Sequence, residues 1–356
     1  MSKRIRPRIT EEEYSLIQGI REQCQNHNIG LENVPDGWLK GKESSLRFKN
    51  PAYKAPEEKA KEIDFTKHIE SVKPFSYVEK QFVNVALFDR LVYTDVHIGM
   101  DVNPDGYSLY GGKWDKTELF RRLDLMIQFV LDNRKSEVLY IDELGDLMDG
   151  WDARTVRREH ELPQNMNNQD AYDNAIEFKL RLLKSLVPYY KKVICHNVCE
   201  DNHAGAFGYV VNSAFKRIAE LMFKNVQVIN QRKFIDFYKA PKNHVFILTH
   251  GKDSKNLRFG FKPVLDKAQE NKIDNYIKEH CLLNKDVKIE FSKGDSHQYL
   301  FDGSSSESFN YYNYPAFSPS SNWVQTNFQK GISGFIHFNY WNDRKQINEY
   351  LFKWRS

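Results

Sequence analysis

The sequence predicts an α/β fold, and three observations carry the prediction. Short apolar strands alternate with amphipathic helical stretches from about Phe82 onward. Each of those strands runs directly into a loop bearing Asp, His or Asn. Glycines stand beside several of these polar residues, as sharp turns require.

The elements follow in order. Val85–Tyr93 reads as a strand, and Glu118–Asn133 as a helix with Leu119, Leu123, Met126, Ile127 and Val130 at helical spacing. Val138–Ile141 is a short buried strand, Asp173–Val187 a helix and Lys192–Cys195 another strand. Val245–Thr249 and Val287–Phe291 repeat the strand theme. Residues 1–84 differ from the 85–356 domain. Thr10 is a plausible N-cap before an acidic first turn, with Tyr14, Ile17 and Ile20 on one helical face. A lysine- and proline-bearing linker follows. This N-terminal helical and extended arm either packs on the main domain or recruits DNA or a protein.

Composition limits the function classes. At 356 residues, with 40% hydrophobic and 28% charged residues, the chain suits a soluble globular protein with one large domain and an appendage. No apolar run is long enough for a membrane helix, and the basic N-terminus lacks the apolar segment of a secretory signal. A cytoplasmic location is therefore expected. Four scattered cysteines do not make a disulfide framework. A net charge of +4 permits a polyanionic partner without requiring one.

The strand ends carry the chemistry. They read Thr94-Asp95-Val96-His97, Gly145-Asp146-Leu147-Met148-Asp149, Glu200-Asp201-Asn202-His203, Thr249-His250-Gly251 and Gly294-Asp295-Ser296-His297. Binding sites in open α/β sheets form where strand C-termini converge, so these loops can meet. Carboxylate and imidazole together suit Mn, Fe or Zn, whereas an all-oxygen shell suits Mg or Ca. Each motif is common by itself; five in series, roughly fifty residues apart, are hard to explain by chance.

The series resembles the calcineurin-like metallophosphoesterase superfamily over residues 85 to 356. The resemblance implies a four-layer α-β-β-α sandwich with a binuclear centre. One cation would take Asp95, His97 and His297, the other Asn202, His250 and Asp295, and Asp146 would bridge them. It also implies hydrolysis of a phosphoester by a water activated between two divalent ions; the ligand types, with an anionic Asp295 among them, make Mn the first expectation and Mg, Fe or Zn the alternatives. His203 would donate a proton to the leaving oxygen, with Asp149 orienting its ring; the alternatives are a spare ligand or a structural histidine. Two positions depart from the family pattern. Asp295 stands where that pattern has His, and Ala204 stands where an acidic residue often follows Asn-His.

Other segments imitate sites. Asp101-x-Asn103-x-Asp105-Gly106 resembles the start of an EF-hand, but Gly112 occupies the place of the bidentate Glu, so a turn is expected. Cys195 and Cys199 are expected as buried thiols rather than zinc ligands. Arg154, Arg157, Arg158 and His160 form either a substrate-gripping lid or a solvated segment whose arginines pair with Glu159 and Glu161. Lys252 is either a phosphate contact or a surface lysine. The His160–Asn165 segment is similar to one in phage-encoded relatives labelled DNA repair exonucleases, which would place the chain in host cytoplasm. With Tyr311, Tyr312, Tyr314 and Trp323 as stacking surfaces, DNA is the first expected substrate. A small-molecule phosphatase or cyclic-nucleotide phosphodiesterase is the alternative, and a binding protein with a degenerate site is the third reading.

Overall fold

A computed structural model describes residues 65–352 apart from 107, 109–111, 258, 260–261 and 328–330. Of the earlier chain it describes 15, 18, 19, 22, 37–40 and 45–48. The helix expected over 10–21 therefore lies largely outside the described residues. The chain divides into two compact units, Met1–His68 and Ile69–Ser356. In the first, Gly37–Lys40 pairs antiparallel with Ser45–Phe48. The second includes residues 69–84, expected as linker. They are tied to it by Phe75 N–H donating to Ser185 Oγ (2.7 Å) and Tyr77 Oη–H donating to Asp132 Oδ1 (3.1 Å).

The elements of the larger unit run β1 (Phe88–Tyr93), α1 (Lys116–Asp132), β2 (Val138–Glu143), α2 (Asn168–Leu186), β3 (Lys192–Val198) and α3 (Ala206–Met222). They continue with β4 (Val226–Gln231), β5 (Asp236–Ala240), β6 (His244–Thr249), α4 (Lys267–Glu279), β7 (Lys288–Lys293) and β8 (Leu300–Asp302). The last are β9 (Asn310–Asn313), α5 (Asn322–Asn327), β10 (Gly334–Tyr340) and β11 (Lys345–Leu351). Asp115 starts α1 by accepting from Glu118 N–H at 3.0 Å, and Asn167 starts α2 in the same way through Asp170 N–H at 2.8 Å.

Two sheets result. One has the order β11-β10-β1-β2-β3-β4, parallel from β1 to β4, with an antiparallel β10–β11 hairpin added beside β1. The other has the order β8-β9-β7-β6-β5, with β6, β7 and β9 parallel. Alternation along each strand sorts the side chains into three cores. Leu91, Ile141 and Cys195 face α1, α2 and α3, against Leu123, Phe178 and Phe215. Val92, Tyr140 and Ile194 face the other sheet, against Phe246, Leu248 and Tyr312. Ile247, Ile289 and Phe291 face α4 through Ile273 and Ile277. Three cores between successive layers make a helix–sheet–sheet–helix sandwich, the architecture the resemblance implies.

This layering overturns one expectation. Tyr311, Tyr312 and Tyr314 have no exposed surface; they fill the spaces between layers because β9 alternates its tyrosines into two cores. They cannot stack on a bound base, and the Trp323 side chain lies outside the described residues. The thiols of Cys195 and Cys199 are buried, as expected, and burial pushes Cys195 up to about 12. The EF-hand look-alike is a turn, with Asp101 Oδ1 accepting from Asn103 N–H.

A buried cation pins the two sheets together. Arg90, fully buried on β1, donates from Nε to Asp142 Oδ2 at 2.6 Å. It reaches across to β7, donating to Ser292 Oγ at 3.0 Å, with Nη1 3.6 Å from Glu290 Oε2. Its guanidinium lies 4.1 Å from the Phe246 ring centroid. Removing this one charge strands two buried carboxylates, so Arg90→Met is expected to cost about 3–5 kcal/mol. Denaturant unfolding at pH 7 measures it; a loss below 1 kcal/mol would mean that the neighbouring Lys345 and His196 already compensate those carboxylates.

Acid sensitivity is built into β10. His337 has no exposed surface, and Asn348 Nδ2 lies 3.3 Å from its Nδ1. Burial pushes its pKa down to about 3, below the ordinary ~6.5 of an unfolded histidine. Between those values the unfolded chain binds a proton that the folded one does not. This histidine therefore adds nothing to the pH dependence above ~6.5, and lowers stability as pH falls below it by up to about 1.4 kcal/mol per pH unit. His337→Asn should flatten the wild-type change in unfolding free energy between pH 7 and 5 by about 1–2 kcal/mol. Parallel profiles for the two proteins would refute it.

Candidate metal centre

The parallel strands of both sheets end on one rim, and their loops are pulled into unusual backbone. Asp95, His97, Asp146, Asp295 and His297 all have positive φ, between 48° and 68°. Side-chain-bearing residues visit this region rarely, and such strain persists only where surrounding structure enforces it. The backbone ladder that enforces it is explicit. Asp95 N–H donates to Gly145 C=O at 3.0 Å, His97 N–H to Asp146 C=O at 2.9 Å and Ser318 N–H to Asp95 C=O at 3.1 Å. Gly145 is required: a Cβ there would stand 2.9 Å from His250 Nδ1. At Gly294 a Cβ would stand 2.9 Å from Asp95 Oδ2.

The loops bring most of the sequence-predicted residues into one buried cluster. His297 Nε2 lies 3.1 Å from His97 Nε2 and 3.4 Å from Asp95 Oδ1. Asp146 Oδ2 lies 3.1 Å from His250 Nε2, and 3.8 Å from both His97 Nε2 and His203 Nε2. Asp295 Oδ1 lies 3.8 Å from His250 Nε2. Donor atoms of Asp95, His97 and His297 sit within 4.8 Å of one another, as do those of Asp95, Asp146 and His250. Either trio could hold a metal ion, and so could His97, Asp149 and His203, the arrangement in which His203 is a spare ligand.

Several of these atoms are buried without a hydrogen-bond partner. They are Asp95 Oδ1, Asp146 Oδ1, Asp149 Oδ2, Asn202 Oδ1, His250 Nε2, Asp295 Oδ2 and His297 Nδ1. Burying polar atoms without a partner costs about 1–3 kcal/mol each, so a concentration of them at one rim calls for a ligand that repays it. Divalent cations fit the donor set. The ring orientations also suit them. His250 Nδ1–H faces Leu144 C=O at 2.9 Å, and His97 Nδ1–H faces Asp149 Oδ1 at 3.0 Å, which leaves both Nε2 atoms to ligate a metal once it displaces their protons. Nδ1–H is the tautomer these partners select.

Electrostatics within the cluster are strongly coupled by proximity. Burial alone would raise the Asp146 carboxyl, but the facing imidazoles of His203 and His250 outweigh it and hold the group well below the usual range. Burial opposes a charge on His250, yet Asp146 overrides it and the ring rises to about 10. His203 is raised in the same sense, with Asp146 opposing the effect of burial. Lys293, fully buried, is pushed down to about 8 by burial, with Asp295 and Asp95 offsetting part of the effect.

Sequence reasoning missed Asp201. Its Oδ1 accepts from the N–H groups of His203, Ala204 and Gly205 at 3.1, 2.8 and 3.1 Å, and its Oδ2 accepts from Asp146 N–H at 2.9 Å. One carboxylate thus folds the Asn202-His203 turn and fastens it to the Asp146 loop. Burial, then the charge of Asp146, pushes it up to about 7. Where the resemblance would place an acid after Asn-His, Ala204 is buried and the carboxylate arrives from the preceding side. No local signal marked it: Asp201 stands four residues before Gly205, the N-cap of α3, which has no side-chain cap.

Asp149 touches both histidines, with Oδ1 3.0 Å from His97 Nδ1 and 3.5 Å from His203 Nδ1; its carbonyl lies 3.1 Å from His203 Nδ1. The His203 side chain retains 19% exposure, against 2% for those of His97 and His250. In the arginine segment, Arg157 donates from Nη1 to Asp253 C=O at 2.8 Å, which ties two rim loops together. Arg154 is exposed, 3.7 Å from Glu161 Oε1, and Arg158 and His160 are exposed. Val156 N–H and Arg157 N–H donate to the carbonyls of His203 and Asn202, so this segment packs along the Asn202-His203 backbone. Lys252 Nζ lies 3.3 Å from Asp295 Oδ1.

The fold and site define an α/β sandwich whose rim carries a buried Asp/His cluster able to hold metal ions. No family model and no curated protein matches the chain. Among solved structures it is similar to a single-site mutant of Vps29 from Entamoeba histolytica, at 11% identity over 74% of this chain and 99% of that one, TM-score 0.29. Wild-type Vps29 of the same organism, solved with Zn2+, matches at 10% identity with the same coverages and TM-score 0.30. A predicted phosphoesterase from Streptococcus pneumoniae matches at 10% identity over 48% of this chain and 87% of that one, TM-score 0.23. Among the described residues, no helix is long and apolar enough to cross a membrane.

Proposed function

We propose that the chain is a two-metal phosphoesterase that hydrolyses phosphodiester bonds, with DNA as its substrate. The carrying observation is the set of unpartnered, buried Asp, Asn and His atoms at the rim where the strands of both sheets end. Asp95, His97 and His297 would hold one cation and Asn202, His250 and Asp295 the other, with Asp146 shared. Divalent ions in such a cage supply Lewis-acid polarisation and a nucleophile at neutral pH. His203 is the proton donor: it is the most exposed imidazole of the cluster, and the Asp146 and Asp149 carboxylates favour its charged form. Asp149 holds the rings of His97 and His203 in register.

The DNA reading is supported by exposed Arg154, Arg158 and His160 on the segment that backs His203, and by Trp151, 46% exposed beside them. Trp151 takes over the stacking role for which the buried tyrosines are unsuited. Incubated with Mn2+, the protein should degrade linear DNA, with activity falling steeply between 50 and 200 mM salt, a range over which phosphate-contacting proteins lose affinity. Cleavage of small chromogenic esters or cyclic dinucleotides alone would replace DNA with the small-molecule alternative.

A further inference from the structure

One basic side chain at the rim lies against a residue of the cage. Lys252 follows His250 by two residues, and its side chain is only 16% exposed. Its ammonium lies 3.3 Å from Asp295 Oδ1, and that same oxygen lies 3.8 Å from His250 Nε2. A second lysine, Lys293, is fully buried two residues before Asp295. The position at which the family pattern carries a neutral imidazole thus carries a carboxylate with an ammonium against it. The pair sums to zero charge, as an imidazole does, but its positive half lies against the carboxylate that would help hold a second cation. Two like charges held on one carboxylate, the ammonium on Oδ1 and an ion on the unpartnered Oδ2, repel in a site screened from water.

We infer that Lys252 sets the affinity of the second cation position: it competes with the ion for Asp295, so the His250–Asn202–Asp295 position loads more weakly than the Asp95–His97–His297 position. This rests on the two-metal reading above. It makes the protein's two ions unequal, the second being the exchangeable one. Lys252 is in this account a positioning residue, acting through Asp295.

The test is Mn2+ titration of chelator-treated protein at fixed pH, by calorimetry, with bound metal counted after equilibrium dialysis. Wild type should take up two ions in separate steps, the second at least tenfold weaker. Lys252→Met should tighten the second step at least tenfold and leave the first within about twofold, and Lys252→Gln should do the same. Lys252→Arg should keep the wild-type second step, and Asp295→Asn should abolish it. Two ions bound with an unchanged second step in both neutral variants, or an equal tightening of both steps, overturns this inference alone. No ion bound by any folded variant, wild type included, overturns the two-metal reading and the inference with it.

Discussion

Asp146→Asn is expected to leave the fold intact, empty at least one cation position, and lower hydrolysis of any accepted phosphoester by at least about 10³-fold. The reasoning starts from the backbone. Asp146 is held at φ 50° by Asp201, which accepts its N–H, and by His97, whose N–H its carbonyl accepts. The side chain is thereby aimed without depending on its own charge. Its Oδ2 stands within 3.8 Å of His97, His203 and His250, so it faces imidazoles from both halves of the cluster. An amide keeps the shape but presents an N–H where a second ligand oxygen is needed. Elemental analysis of the purified variant is the deciding measurement; full metal content would show that Asp146 bridges nothing.

His203→Ala should behave in the opposite way, keeping its metals while turnover falls by about 10²–10⁴-fold. The ring is partly exposed and contributes none of the buried unpartnered atoms, so removing it does not disturb the cage. The peptide that carries it is fixed by Asp201 and by Val156 N–H, which do not depend on the imidazole. The loss should shrink for substrates whose leaving group departs without a proton, such as a nitrophenolate. A uniform loss across leaving groups, or none, would leave His203 as a structural or ligating histidine.

The fold was legible where periodicity and strand-end chemistry agreed. The helix expected over Glu118–Asn133 is Lys116–Asp132, and the strand expected at Val245–Thr249 is His244–Thr249. The helix expected at Asp173–Val187 begins five residues earlier, at Asn168, because its first turn is polar and is held by the Asn167 cap. β4, β5 and β8 to β11 were not read. Most have mixed burial or short runs: β4 alternates Val, Gln, Val, Ile, Asn and Gln, and Tyr-rich β9 looked like a binding surface; β10 is long and wholly buried, but His337 and Asn339 interrupt its apolar pattern. The distinction between a core tyrosine and a stacking tyrosine lies in which layers flank the strand, which no local pattern carries.

The site was legible as residue types and not as roles. Asp and His at strand ends announce a cage, but which carboxylate touches which ring depends on loop geometry. Asp149 was expected to serve His203 and lies nearer His97. Asp201 was invisible because its work is done on backbone N–H groups, the same work any helix-capping Asp performs.

The β10–β11 hairpin joins the first sheet beside β1, although all seven candidate ligands precede it in the chain. During synthesis, the strand that delivers Asp95 and His97 therefore waits as an open flank until residues 334–351 have left the ribosome. At about 5–20 residues per second, the interval after the last ligand is made is about 3–11 seconds. A chain cut before Gly334 would own every coordinating atom and still lack the neighbour that holds the first two in place.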